Sequence, residues 1–304
     1  MSEIHTLEIF LLCHNRPEDA KQAIRSILAQ NNQNFTLIIS DNSTDDRVES
    51  MVREIFPKEN YIRRKPVSAT RHCIQCISEV SSSHFCLFHD DDLMCPDFVH
   101  EAMMAIAAFP SAVAIGSNSY IEVKGKTQKK FSFAALHQYE SVKSAKDLAN
   151  RYFSPHQSGI APFPGYIYQK KRIHKFYPLE NEGKYSDVTW LLRLIQTGPF
   201  VWIRKPIMVY RLHGGNDGLT ESRRDRLRFL AYLKKMKIVL GNEILENYRY
   251  SFIYKPINKS KIKQPLSRKC KASKFIQCHR WKRYFRINTY ISIIKRKYIK
   301  YCGK

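Results

Sequence analysis

The sequence predicts an α/β fold: a mostly parallel sheet with helices on both faces, followed by a basic, mostly helical C-terminal region. Two observations carry this. Between residues 7 and 88 short apolar runs alternate with stretches of helical periodicity, a βαβαβαβ order that implies parallel strands. The charge is also concentrated at one end. Residues 221–304 hold 25 Lys and Arg against 4 Asp and Glu, whereas residues 1–220 hold 26 against 23. A chain of 304 residues that is 43% hydrophobic is large enough for a sizeable core.

Each element follows from residue types and spacing. Leu7–Cys13, with an apolar run from Ile9 to Cys13, reads as a buried strand. Pro17 suits the first turn of a helix, with Glu18 and Asp19 at the favourable end of its dipole. Ala20, Ile24, Ile27 and Leu28 then share one helical face. Residues 35–40 form a second strand, followed by the turn-forming Asp41-Asn42-Ser43-Thr44. Val48, Met51, Val52 and Ile55 mark a helix, Tyr61 a short strand, and Ala69, Cys73, Ile77 and Val80 a further helix. Residues 85–88 form a strand that runs straight into Asp90-Asp91-Asp92. Beyond it come a helix through Phe98, Ala102, Met103 and Ile106, a short strand at 113–116, and a hairpin of 120–123 with 131–134 around Lys124-Gly125. Residues 154–168 read as a long loop entering a strand, 188–194 as a short helix after Asp187, and "VYRLHGGNDG" as the end of another strand.

No segment is apolar over the roughly 20 residues needed to cross a bilayer. The N-terminus, with Glu3, Glu8 and a brief apolar run, does not read as a signal peptide. The expectation is a cytoplasmic protein whose eight cysteines are reduced. Cys73 and Cys76 are a lone pair without a second pair at zinc-site spacing, which points to buried structural thiols.

In parallel α/β sheets ligands bind beyond the carboxyl ends of the strands. His14-Asn15-Arg16, Asp41 and Asp90-Asp91-Asp92 all fall there. Adjacent carboxylates at the end of a core strand repel one another. A divalent cation justifies them: Mg²⁺ and Mn²⁺ take oxygen ligands and keep places for phosphate oxygens. The alternative for the run is a solvated turn or a cap for the helix that begins near Pro96. Asn15 and Asp41 are also turn-capping types.

The segments "IFLLCHNRPEDAKQAIRSILAQNNQNFTLIISDNSTDD", "ATRHCI", "FCLFHDDDLMCPDF" and "KYSDVTWLLRLIQTGPFVWIRKPIMVYRLHGGN", in that order, resemble the motifs of the family 2 glycosyltransferases across about residues 5–217. The resemblance implies an inverting enzyme with the A-type nucleotide-sugar-binding fold, Rossmann-like in its sheet. It implies a catalytic domain at 1–217, divided into a nucleotide-sugar half (1–118) and an acceptor half (119–217), with 218–304 as the basic region. By the same match Asp41 recognises the nucleotide base, and His14 and Asn15 line the nucleotide pocket. Arg71 contacts the nucleotide portion of the donor. Asp90-Asp91-Asp92 corresponds to the Asp-x-Asp signature: Asp92 is the best metal ligand, Asp90 a second, and Asp91 meets ribose or the metal shell. Asp187 corresponds to the catalytic base. Arg211 and His213 lie near the diphosphate, His213 as a further metal ligand. Position 89 is His where many members place the first Asp, and position 186 is Ser where many place Glu.

The implied cofactor is Mn²⁺ or Mg²⁺. The implied partners are a nucleotide-sugar donor, UDP-linked by preference, and a lipid-linked, lipopolysaccharide or capsule glycan acceptor. Residues 281–301 mix Trp281, Tyr284, Ile287, Ile291 and Ile294 with basic residues, a pattern that suits an anionic membrane surface. This predicts peripheral attachment to the inner face of the cytoplasmic membrane. Two rival functions have distinct signatures. A sugar nucleotidyltransferase needs a Gly-rich first loop, and "LLCHNRPED" contains no glycine. A nucleic-acid-binding protein acting through its basic tail would bind polynucleotide with steep salt dependence, but no nucleic-acid motif accompanies the charge.

Overall fold

A computed structural model of the protein describes residues 6–153, 159–173, 177–213 and 222–242, with 244, 245 and 248. Its elements are β1 (Leu7–Cys13), α1 (Pro17–Leu28), β2 (Thr36–Asp41), α2 (Arg47–Ile55), β3 (Asn60–Arg63), α3 (Ala69–Glu79) and β4 (His84–His89). Then follow β5 (Leu93–Met94), α4 (Phe98–Ala108), β6 (Ala114–Val123), β7 (Lys126–Phe131), β8 (Tyr139–Val142), α5 (Ala145–Phe153), β9 (Tyr166–Gln169), α6 (Lys170–Ile173) and α7 (Ser186–Leu194). β10 (Phe200–Leu212), α8 (Arg223–Lys235) and α9 (Lys237–Leu240) complete them. The expected membrane-binding segment at 281–301 and the glycine pair after His213 lie outside the described residues.

β1 is buried along its whole length, and its side chains divide with the two-residue period of a strand. Leu7, Ile9, Leu11 and Cys13 enter one core with Ala20, Ile24 and Ile27 of α1, Val48 and Val52 of α2 and Phe98 and Ala102 of α4. Phe10 and Leu12 enter the other, with Cys76 and Ile77 of α3, Leu148 of α5 and Trp190 and Leu194 of α7. Phe229 and Leu233 of α8 belong to that second core, so the start of the C-terminal region packs on the same body. Fully burying a side chain of this size contributes about 1.5–3 kcal/mol, so these two layers dominate the cohesion of the fold.

The sheet order is β3-β2-β1-β4-β9-β6-β10-β5, with β7 on β6 and β8 on β10. The α/β class is as expected, and the parallel character belongs to β3-β2-β1-β4. Beyond β4 the sheet is mixed, because β9 inserts antiparallel to both β4 and β6. β6 consequently runs in the direction of β1 and β4, and β10 pairs with β6 in parallel. The carboxyl ends of β1, β2, β4, β6 and β10 therefore share one edge. The expected short strand at 113–116 is a ten-residue strand. The hairpin's second strand starts at Lys126, not at residue 131, because Lys124 and Gly125 both take positive φ (51° and 73°) and close a two-residue turn. Among the described residues no helix is long and apolar enough to cross a membrane.

Candidate active site

The register of β1, β2 and β4 brings three strand ends together. Cys13 lies opposite Asp41, and Leu12 lies opposite His89. The chain after β1 turns through Asn15, whose φ of 56° is left-handed, a conformation that Asn tolerates better than most residues. Asn15 then joins two loops. Its backbone N–H donates to Ser43 Oγ at 2.8 Å, and its Oδ1 accepts from the Thr44 N–H at 2.8 Å. The His14 ring reaches Asn42 Oδ1 at 2.9 Å through Nδ1. His14 and Asn15 thus stand at the edge where they were expected, already engaged with the β2–α2 loop.

Asp41 is buried, and both its carboxylate oxygens are used. Oδ1 accepts from the Ser43 N–H at 2.8 Å, while Oδ2 accepts from Tyr61 Oη and Arg63 Nη1, each at 2.7 Å. Burial, and secondarily the hydrogen bond to Asp41, pushes the Tyr61 phenol well above its ordinary range. In the sequence Tyr61 marks only a short strand, and neither it nor Arg63 stands out as a site residue. They lie about 20 residues from Asp41, and only the β2–β3 register makes them neighbours.

The three aspartates are treated unequally. Asp90 Oδ2 accepts from the His14 N–H at 2.9 Å, and Oδ1 is ion-paired with Arg16 Nη2. Burial raises its pKa to about 7 against the opposing pull of Arg16. Asp91 Oδ2 takes Arg16 Nη1 at 2.7 Å and His213 Nε2 at 3.1 Å. Burial works against the ionised form, yet His89, Arg16 and His213 hold Asp91 below the usual carboxylate range. Asp92 Oδ1 accepts the Arg211 N–H at 2.9 Å. Its Oδ2 is buried and has no hydrogen-bond partner among the described residues. Burial, then the charge of Asp91, pushes Asp92 far above its ordinary value.

A buried carboxylate oxygen without a donor is costly unless a cation meets it. His89, Asp91 and Asp92 each offer one ligand atom, and these atoms lie within 4.8 Å of one another. This donor set fits a divalent cation. Asp90 is turned toward His14 and Arg16, and the third donor of the group is His89. The signal for His89 was its position, where the signature's first Asp commonly stands. His213 meets the group through Asp91. Arg211 acts on the acidic run from beneath: its Nε donates to the Asp91 carbonyl and its Nη1 to Gln22 Oε1 at 2.8 Å.

Asp187 is the second residue of α7, half-buried, after a short 3₁₀ segment at Glu180–Tyr185. Gly183 kinks that segment at φ 66°, where a Cβ would also meet Arg228 Nη1 at 3.1 Å. Glu182 anchors it to Arg193 Nη1 at 2.6 Å, and Tyr185 stacks on Phe229 of α8 at 4.6 Å. Burial raises Asp187 to about 6, although the N–H groups of its own helix terminus and Lys184 pull the other way. Ser186 Oγ lies 2.9 Å from Thr70 Oγ1 at the start of α3. The next residue, Arg71, is exposed and pairs with Glu180 Oε1 at 3.3 Å. Burial, then the charges of Asp92, Asp91 and Asp187, pushes the Tyr210 phenol on β10 up to about 12.

The glycosyl transferase family 2 model matches residues 8–171, more than half of the chain. A search of curated proteins finds no match. Among solved structures, S. aureus TarS 1–349 in complex with UDP-GlcNAc superposes with a TM-score of 0.64 at 13% identity, over 87% of this chain and 77% of TarS 1–349. The mannosyltransferase PcManGT from Pyrobaculum calidifontis, in complex with GDP-Man and Mn²⁺, superposes with a TM-score of 0.52 at 11% identity, over 97% of this chain and 87% of PcManGT. At such identities the structural likeness is one of fold. With the family match over β1 to β9 and an acidic strand-end site in the same body, this chain belongs to the family 2 glycosyltransferases.

Proposed function

We propose that the protein is a metal-dependent inverting glycosyltransferase that uses a nucleotide-sugar donor, UDP-linked by preference, with Asp187 as general base. The carrying observation is the pairing of two unlike acidic regions: a cation-ready cluster at His89, Asp91 and Asp92, and a single half-buried carboxylate at Asp187. Inverting transfer needs that division. The acceptor oxygen forms its bond to the anomeric carbon as the bond to the diphosphate oxygen breaks and its electron pair leaves with the diphosphate. The acceptor proton passes to the base. A carboxylate raised to about 6 is mostly ionised at neutral pH and more basic than an ordinary Asp.

Asp92 and Asp91, with His89, would hold Mn²⁺ or Mg²⁺, which when bound supplies charge neutralisation for the departing diphosphate. Arg211 sets Asp92 through its backbone N–H, and Arg16 keeps Asp90 and Asp91 from repelling each other. His14 and Asn15 fix the loop that would line the nucleotide, with Asp41 and its Arg63 at the base end and Arg71 at the rim of α3. The TarS complex with UDP-GlcNAc supports a nucleotide-sugar donor, and the PcManGT complex with GDP-Man and Mn²⁺ supports a metal. The proposed acceptor is a hydroxyl of a lipid-linked, lipopolysaccharide or capsule glycan. The net positive C-terminal region would hold the enzyme at the inner face of the cytoplasmic membrane.

Calorimetric titration with UDP, in Mn²⁺ and then in excess chelator, tests the donor site. Binding in Mn²⁺ should fall at least roughly tenfold with chelator and again in Asp92→Asn, the scale seen when metal sites lose a partner. Binding of equal strength in all three samples would remove the metal from the mechanism. Silence toward UDP, GDP and dTDP alike would remove the donor reading itself.

A further inference from the structure

The register that builds the site also builds a wall beside it. Three adjacent strands carry, at one level, Arg211 of β10, Glu122 of β6 and Thr127 of β7. One residue nearer the edge the row is Leu212, Val123 and Lys126. Arg211 gives its backbone N–H to Asp92, so β7 stands two strand spacings, about 10 Å, from the strand that anchors the acidic cluster. The β6–β7 hairpin rises from the same edge as Asp90-Asp91-Asp92.

Its surface composition is unusual. Tyr120 and Phe131 are cross-strand neighbours in edge contact, ring centroids 5.7 Å apart, and stay 36% and 47% exposed. Val123 beside the tip is also exposed. Lys124, Lys126 and Lys130 are exposed on the same short ribbon, with Glu122 as its acidic residue. An aromatic pair left in water offers ring faces to the apolar C–H faces of sugars, and lysines favour anionic groups without demanding one geometry.

We infer that the β6–β7 hairpin is the docking surface for the acceptor and that the acceptor is an anionic glycan, one carrying phosphate or carboxylate groups. Sugar rings lie on Tyr120 and Phe131 on one face of the two-stranded ribbon, and Lys124 at its turn, with Lys126 and Lys130 reaching round from the other face, meets the charges. The inference rests on the transferase reading above and adds the chemical class of acceptor. Anionic lipid headgroups share the charge but not the preference for ring faces, and the hairpin's place beside the catalytic edge, within reach of a bound chain of sugars, favours the glycan.

The test uses the full chain and hydrogen exchange read peptide by peptide, so that binding by the basic tail is separated from binding by the hairpin. The probes are sulfated dextran oligomers, neutral dextran oligomers of equal length and phosphatidylglycerol vesicles. Sulfated oligomers should protect peptides within 117–135, neutral oligomers should protect them less, and vesicles should leave them unchanged. Lys126→Glu/Lys130→Glu should weaken that local protection roughly fivefold, the scale of about 1 kcal/mol for exposed charge pairs. Metal-dependent UDP binding should stay as in the unaltered protein. Protection confined to residues beyond 249, or hairpin protection by vesicles equal to that by sulfated oligomers, overturns the inference. Silence of the unaltered protein toward UDP, GDP and dTDP alike would instead defeat the donor reading, so the two failures are distinguishable.

Discussion

Asp90, Asp91 and Asp92 are gripped from several elements, while among the described residues Asp187 has no side-chain hydrogen-bond partner. Arg16 spans Asp90 and Asp91, His213 adds to Asp91, and the backbone of Arg211 fixes Asp92. Around Asp187 the structure instead supplies burial, its own helix terminus and the charge of Lys184. A group meant to hold a cation needs its geometry fixed before the ion arrives. A group meant to accept a proton needs its charge made slightly unfavourable. The contrast between restrained charges and one raised charge is what the following variants break.

The largest effect should come from Asp187→Asn. If Asp187 is the base, kcat falls by about 10²–10⁴ while UDP binding is kept. The same substitution should stabilise the protein. Asp187 is raised from an ordinary 3.8 to about 6, so the folded state favours its protonated form. Stability from this group is full below about pH 4 and is lost as pH rises through about 6. At pH 7–8 the ionised carboxylate therefore costs about 1–3 kcal/mol, which Asn removes. Thermal melts of both proteins at pH 5 and pH 8 check this: the gain should appear at pH 8 and shrink at pH 5. Activity of the unaltered enzyme should decline on the acid side near pH 6. An active Asp187→Asn would move the base elsewhere.

Arg16→Leu attacks the other side of the comparison. Its guanidinium is about one-third exposed but reaches two buried carboxylates, so its loss should cost about 2–4 kcal/mol, somewhat below the full value for a buried pair. The sign of the metal effect is diagnostic. With Arg16 gone, added Mn²⁺ should raise the melting temperature more than in the unaltered protein, because the cation then relieves the carboxylates alone. An equal shift in both proteins would mean that Arg16 and the cation do not share a field.

What could be read in advance follows the same division. The strand-end positions of Asp41 and Asp90-Asp91-Asp92 were legible because β1, β2 and β4 are apolar runs buried on both faces, with polar residues where they stop. β7 was misplaced by several residues because "KTQKKF" is an exposed strand with no apolar alternation to announce it. The antiparallel entry of β9 between β4 and β6 was illegible, since four residues fix it through partners about 50 to 85 residues away. Arg16 stood next to the expected His14 and Asn15, yet its task is set by contacts 74 and 75 residues along the chain. Local pattern reports which groups reach the edge. The pairing of those groups is decided by topology.

The smallest expected effect lies between the two regions. The Thr70 Oγ1 to Ser186 Oγ contact of 2.9 Å joins the start of α3 to the residue before Asp187. The loop ahead of α3 is in turn tied to the donor side, because Asn42 Nδ2 donates to the Val67 carbonyl at 3.0 Å and His14 contacts Asn42. Thr70→Val removes one hydroxyl at nearly constant volume and should cost about 0.5–1.5 kcal/mol, roughly a twofold to tenfold change. If the contact positions the base, that loss appears in kcat, leaves the KM for donor unchanged, and is recovered by Thr70→Ser, which restores the hydroxyl. If the contact only holds α3 against α7, the melting temperature falls and kcat at 25 °C does not. The first outcome would make the two acidic regions a coupled pair, and the second would leave them independent.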